Sequence, residues 1–135
     1  MSRQKGRLLR IGAAAGMGLA WAAVPVSAHH STALQFDMTK EVVVEGTIVE
    51  MEWRNPHAWL QIEVENEAGE LEIWRLEFGS ANSLYRRGWR RDDLPIGAKV
   101  RVHGLPARDG SRTLAAEEVT LPDGRELFAG PREPR

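Results

Sequence analysis

Beyond residue 40, apolar and polar positions alternate with the two-residue period of half-buried β-strands. Val42, Val44, Gly46 and Ile48 share one face of a first strand, whereas Val49, Met51 and Trp53 share the other. The change of phase near Val49 predicts a bulge or sharp bend, with Gly46 easing it. Arg54-Asn55-Pro56 reads as a turn, because Pro56 fixes its own φ and pushes Asn55 out of the helical region. A second strand over 57–65 puts Ala58, Leu60, Ile62 and Val64 on a core face, and His57, Trp59, Gln61 and Glu63 on the opposite one. The loop 66–69 closes a hairpin with a third strand over 70–78. That strand is apolar on both faces, as a central strand is: Leu71 and Ile73 on one, Trp74, Leu76 and Phe78 on the other.

Gly79-Ser80 interrupts the strands. Ser80 is suited to N-cap a short helix through Ala81, Leu84 and Tyr85, and Gly88 to close it. A fourth strand over 98–105, a fifth over 113–121 and a short sixth over 125–128 follow, joined by Asp-Gly turns. Three strands, a helix, then further strands is the element order of an OB barrel. The expected fold is therefore mainly β: a small OB-like five- to six-stranded antiparallel barrel with one short helix between strands 3 and 4. A small sandwich or an open roll would give the same string. The barrel spans 41–129, preceded by an extended arm over 29–40 with Leu34 and Phe36 as anchors, and followed by a flexible tail over 130–135.

The first 28 residues obey a different rule. Arg3, Lys5, Arg7 and Arg10 precede an apolar, small-residue run, and Val26 and Ala28 fit the small-residue rule for a cut before His29. Residues 1–28 thus read as a signal peptide, which makes the mature protein periplasmic or secreted. A retained anchor is the competing reading, since the run approaches the roughly 18–20 apolar residues that cross a bilayer. Pro25 and the high Gly and Ala content oppose it, so no stable membrane span is expected after cleavage.

The leader holds four of the 18 basic residues and no acidic one, leaving 14 basic against 19 acidic in the mature chain, a formal charge of about −5. Export and that balance speak against nucleic acid as a partner. With no cysteine in the chain, disulfides, iron–sulfur ligation and thiol catalysis are excluded, and metal ligands must be His, carboxylate or main chain.

Four histidines occur, at 29, 30, 57 and 103. A first-residue histidine offers an α-amine and an imidazole together, and one further imidazole completes a T-shaped three-nitrogen set of the kind Cu(II) favours. His29 as chelator, His57 as the third ligand and His30 beside them are the candidate metal ligands, with copper as the possible cofactor. The alternative is that His29 is an arbitrary polar first residue and His57 only closes its turn. Ser31 also departs from the amino-terminal copper motif that requires histidine at the third position. His103 reads as an exposed strand residue.

Four tryptophans follow the leader. Trp53 and Trp74 suit the core. Trp59 and Trp89, with Asn55, Arg87, Arg90 and the rest of the Arg86–Arg91 cluster, form a candidate surface for a glycan or an exported protein partner, unless those arginines are a solvated helix end neutralised by Asp92 and Asp93. No nucleophile elbow, phosphate loop or metalloprotease helix is present, so an enzyme is the less favoured class. The expected function is an exported small binding module.

His29-His30-Ser31 after the leader, Glu52-Trp53 followed by Asn55-Pro56-His57 and Trp59, Trp74 with Glu77, Gly79-Ser80 with Asn82, and Arg87-Gly88-Trp89 together resemble a family of small exported bacterial proteins of unknown function. The resemblance covers the mature domain and implies a periplasmic β-rich fold. It supplies neither catalytic residues nor a ligand.

Overall fold

The structure, a computed structural model, describes residues 28–130, with side chains from residue 32 onward. The leader ahead of Ala28, the side chains of His29 and His30, and the tail beyond Gly130 lie outside the described residues.

The alternation of the sequence becomes six strands: β1 (Val42–Glu52), β2 (Trp59–Glu65), β3 (Leu71–Glu77), β4 (Lys99–Pro106), β5 (Thr113–Thr120) and β6 (Glu126–Phe128). β1 pairs along its first half with β4 and along its second half with β2. Between the halves its register with β2 slips from Ile48 to Glu50, which is the bulge that the phase change at Val49 predicts. A long strand bent in this way belongs to both walls of a barrel. β2 pairs with β3, β4 with β5, and β3 with β5, giving the closed order β1-β2-β3-β5-β4 of an OB-like barrel. β6 adds to the outer edge of β5 and stands outside the ring.

One feature of the expected barrel is corrected. The closing pair, Arg75–Glu77 against Thr113–Ala115, is parallel, so the barrel is mixed rather than antiparallel throughout. The crossover between β3 and β4 causes this, because it brings β5 alongside β3 in the same direction. That crossover contains α2 (Ala81–Arg86). Ser80 caps it by accepting from the amide of Ser83 at 3.2 Å, and Gly88, at φ 97°, ends it in the left-handed region that only glycine enters freely.

Ile48, Leu60, Ile62, Leu76, Phe78, Val102, Leu114 and Val119 fill the barrel, and Leu84 of α2 and Trp89 close one end. One of the two apolar faces of β3 is not covered: Leu71 and Ile73 are exposed. The first half of β3 has no partner on its second edge, so it is only partly the central strand its sequence suggests.

The arm differs from expectation. Residues Ala28–Gln35 form a short helix, α1, rather than an extended segment. Ala28, Ala33, Leu34 and Gln35 are good helix formers, and nothing β-branched but Thr32 opposes them. Phe36 is the anchor, buried with Leu105 and Ala115 and bridged to Ala107, whereas Leu34 is exposed and anchors nothing. Backbone hydrogen bonds from Asp37 to Pro106 (2.9 Å) and from Arg108 to Gln35 (2.8 Å) hold the arm to the end of β4. A turn then leads into β1. Its Asp37 carboxylate accepts from the amide and hydroxyl of Thr39 at 3.1 and 2.7 Å and faces Lys40, which lowers its pKa to about 2.

Two predictions follow from this framework. A Cβ on Gly46 would run into the carbonyl of Glu63, and one on Gly104 into that of Ala115, so Gly46→Ala and Gly104→Ala should each lower unfolding free energy by about 1–3 kcal/mol in urea titrations. Because the folded pKa of Asp37 lies below the ordinary value of 3.8, its stabilisation is complete above that value and is lost as pH falls towards about 2. Asp37→Ala should therefore lower the melting temperature at pH 7 and change it little near pH 2.

Candidate functional site

On the outside of the barrel, period-two alternation puts His57 and Trp59 on one face of the β2 segment. Trp59 pairs across the sheet with Glu77, and Gln61 with Arg75. The same register is implied by the hairpin at Asn66–Gly69, where Glu65 faces Leu71. The parallel seam then sets Glu77 beside Ala115, which packs under Phe36 of the arm. Neighbouring strands lie about 4.8 Å apart, so the end of the arm, Glu77 and His57 occupy one continuous stretch of outer surface.

His57 is held from one side only. Its Nδ1 lies 3.2 Å from a carboxylate oxygen of Glu77 and 3.3 Å from the carbonyl oxygen of Phe78. Both neighbours accept hydrogen bonds, so Nδ1 of the neutral ring carries the proton and Nε2 keeps the lone pair. The histidine side chain is 42% exposed and that of Glu77 only 17%. Burial pushes the Glu77 carboxyl above its ordinary pKa, and the attraction of His57 offsets part of that. A partly buried acid coupled to a histidine at the rim of a groove is the kind of pair found at binding and catalytic sites.

The groove has a volume of ≈ 360 Å³ and is lined by Trp59, Glu77, Thr113, the 108–111 loop and the end of the arm. Arg75 stacks its guanidinium 4.6 Å from the centre of the Trp59 ring. A larger cleft of ≈ 770 Å³ runs along Val43–Thr47 of β1 and the ends of β2 and β4. It is lined by no aromatic residue, whereas the smaller groove is lined by Trp59 and Phe36 and by Glu77, the partner of His57, so the smaller groove is the better candidate site.

The other expected site residues are placed differently. Trp89 is fully buried. Its indole N–H donates to the carbonyl of Phe128 at 2.9 Å, and its ring packs against Phe78 and Trp53. The surface role is thus corrected: Trp89 has no face to offer a ligand, because the chain leaving α2 folds it into the end of the barrel. Asn55 accepts from the amide of Asn82 at 3.2 Å and ties the cis Asn55–Pro56 turn to α2. Arg87 donates to the carbonyl of Gly130 and lies over Phe128, while Arg90 donates to the carbonyls of Trp89 and Tyr85. These cations hold backbone rather than waiting for an anion. Arg86 and Arg91 are exposed, and Arg91 approaches the Trp53 ring at 6.0 Å. His103 is half-buried, 3.3 Å from Glu41. Among the described residues, no three His, Asp or Glu side chains converge as a metal site, and no helix is long and apolar enough to cross a membrane.

The groove residues Arg108, Asp109 and Thr113 were not singled out by the sequence, and Phe36 only as an anchor, since the parallel seam is what brings them to Trp59. Glu77 did carry a signal: hairpin register places it opposite Trp59.

The model of one protein family, described as a family of unknown function (DUF6152), matches residues 16–116. The chain belongs to this family. The DUF6152 match spans β1 to β4 and the first half of β5, and so includes every residue of the groove. Comparison with curated proteins finds no match.

If Trp89 is a core residue, Trp89→Ala should cost about 3–5 kcal/mol of unfolding free energy, as large aromatic deletions do. Arg86→Ala should stay within about 0.5 kcal/mol of the parent. Denaturant titration of both variants checks this.

Proposed function

We propose that the protein is exported, is cut after Ala28, and acts in the periplasm or outside the cell as a small binding module that takes Cu(II) through His29 and His57. The observation that carries this reading is the fixed orientation of His57, with Nδ1 committed to Glu77 and the Phe78 carbonyl and Nε2 left as a free donor. Metal-bound histidines commonly use their second nitrogen in this way, bonded to a carboxylate or a carbonyl that sets the tautomer and raises ligand basicity.

The docking of the arm supports the pairing. Gln35 and Phe36 sit on the outer face that carries Glu77 and Trp59, and His29 lies six residues earlier, about 9 Å of helical rise. Thr32 shares a shallow depression with Gly130 and Glu117. Hydrogen bonds then link Ala129 to Gly79 and Gly79 to Ala58, the neighbour of His57. The amine and ring of His29 would supply two nitrogens and His57 the third, with water or His30 completing the coordination. The amine must lose its proton to bind. An α-amine ordinarily titrates at about 7.7–8.0, so affinity should fall as pH drops below 8.

The alternative surface of Trp59, Trp89 and the Arg86–Arg91 cluster has less support, because Trp89 is enclosed and Arg87 and Arg90 are engaged. The decisive comparison is between protein starting at His29 and the same protein with one alanine added in front. Calorimetric Cu(II) titration at pH 8 should show the extension and His57→Ala each weakening binding by more than the roughly 10–100-fold lost when only a group hydrogen-bonded to a metal ligand is changed. Equal titration curves would remove the copper reading, and the mass of the exported form tests the cut.

A further inference from the structure

We propose that the groove beside Trp59 is a binding site for an uncharged saccharide, with the Trp59 indole as its stacking wall. This rests on the groove itself and not on copper. Its ≈ 360 Å³ falls in the lower part of the about 300–1,000 Å³ range of small-molecule sites, which suits one or two sugar rings better than a protein segment.

The lining selects the ligand class. Trp59 is half-buried, and the Arg75 guanidinium stacked on it is not among the groove-lining residues, so that contact steadies the ring from outside the groove. A steadied aromatic wall suits the flat apolar face of a sugar, as it suits a base. Around it stand the carboxyls of Glu77 and Asp109, the guanidinium of Arg108, the hydroxyls of Ser111 and Thr113 and the amide of Gln35. The lining thus offers both donors and acceptors, a mixture that hydroxyl groups, which both donate and accept, can satisfy.

The groove lining carries two carboxyls, Glu77 and Asp109, and one guanidinium, Arg108. An anion would meet the two carboxyls, and a cation the Arg108 guanidinium. The polar groups are also held in place. Ser111 donates its amide to Asp109 at 2.9 Å, and the Ser111 and Thr113 hydroxyls lie 3.2 Å apart. The side chain of Arg108 donates to the carbonyl of Ala33 at 3.0 Å, which ties the loop to the arm. Such pre-ordering reduces the entropy lost when a ligand binds.

Affinity electrophoresis and calorimetry against soluble cello-, xylo-, chito- and malto-oligosaccharides test the proposal, with the protein kept in chelator so that copper plays no part. At least one uncharged class should bind, and Trp59→Ala should weaken it tenfold or more at an unchanged melting temperature. If that variant fails to fold, Asp109→Ala at the open loop should produce the same loss. Absence of binding by every class at millimolar concentration overturns the proposal. So does a Trp59→Ala or Asp109→Ala protein that binds like the parent, or a preference for sulfated or uronic-acid oligosaccharides over neutral ones. The copper titration is a separate measurement, so either proposal can fail without the other.

Discussion

The structure depends on β1 serving two walls at once. A five-stranded barrel closes only if one strand bends enough to pair with β4 along its first half and β2 along its second, and tilt and stagger are then linked around the ring. Two local features allow this: Gly46, where the backbone of Glu63 comes too close for any side chain, and the register slip after Ile48. Gly104 plays the matching part where β4 approaches β5. Once these bends are set, the stagger leaves β3 and β5 to meet along only three residue pairs, Arg75–Glu77 with Thr113–Ala115. That short seam decides what stands beside Glu77 on the outer surface. Both the arm and the 108–111 loop arrive there because of it.

Much of the barrel was legible because its information is local. Alternation gave the core faces of β2 and β4, the phase break at Val49 gave the bulge, and Ser80 with Gly88 gave both ends of α2. What escaped was long-range. The parallel direction of the seam depends on how the β3–β4 crossover passes the end of the barrel, and no single segment encodes that. The arm escaped for another reason: eight residues without amphipathic period carry no signal for which surface they touch. Phe36 was visible as an anchor, but its partners Leu105 and Ala115 lie some 70 or more positions away along the chain.

Trp89 and the arginines around it show how composition misleads at a chain reversal. A tryptophan among cations looks like a recognition surface, yet Gly88 at positive φ turns the chain inward directly after α2. The indole is buried, and its N–H is satisfied by the Phe128 carbonyl. Arg87 and Arg90 then donate to carbonyls at Gly130, Trp89 and Tyr85, the last of which also accepts from the amide of Gly88. From the core outward, Phe78, Trp89, Trp53 and Tyr85 form a contacting row, with Arg91 over the Trp53 ring. The density of aromatic and basic residues here is explained by closing the end of a small barrel, where each buried aromatic removes about 150–250 Å² from water.

His57 lies just ahead of β2, two residues before Trp59. Glu77 touches the first and lines the groove beside the second. A metal on Nε2 of His57 and a ligand against Trp59 would thus be neighbours with one carboxyl in common, and neither could bind without altering the environment of the other. Thermodynamic linkage makes such an effect reciprocal: whatever factor the ligand applies to metal affinity, the metal applies to ligand affinity. Its sign follows from the carboxylate. A saccharide hydroxyl that donates to Glu77 draws negative charge away from the His57 ring and weakens Nε2 as a donor, whereas a ligand that excludes water without bonding to Glu77 strengthens every charge interaction at the rim. The direction of coupling would therefore report which contact the ligand makes with Glu77.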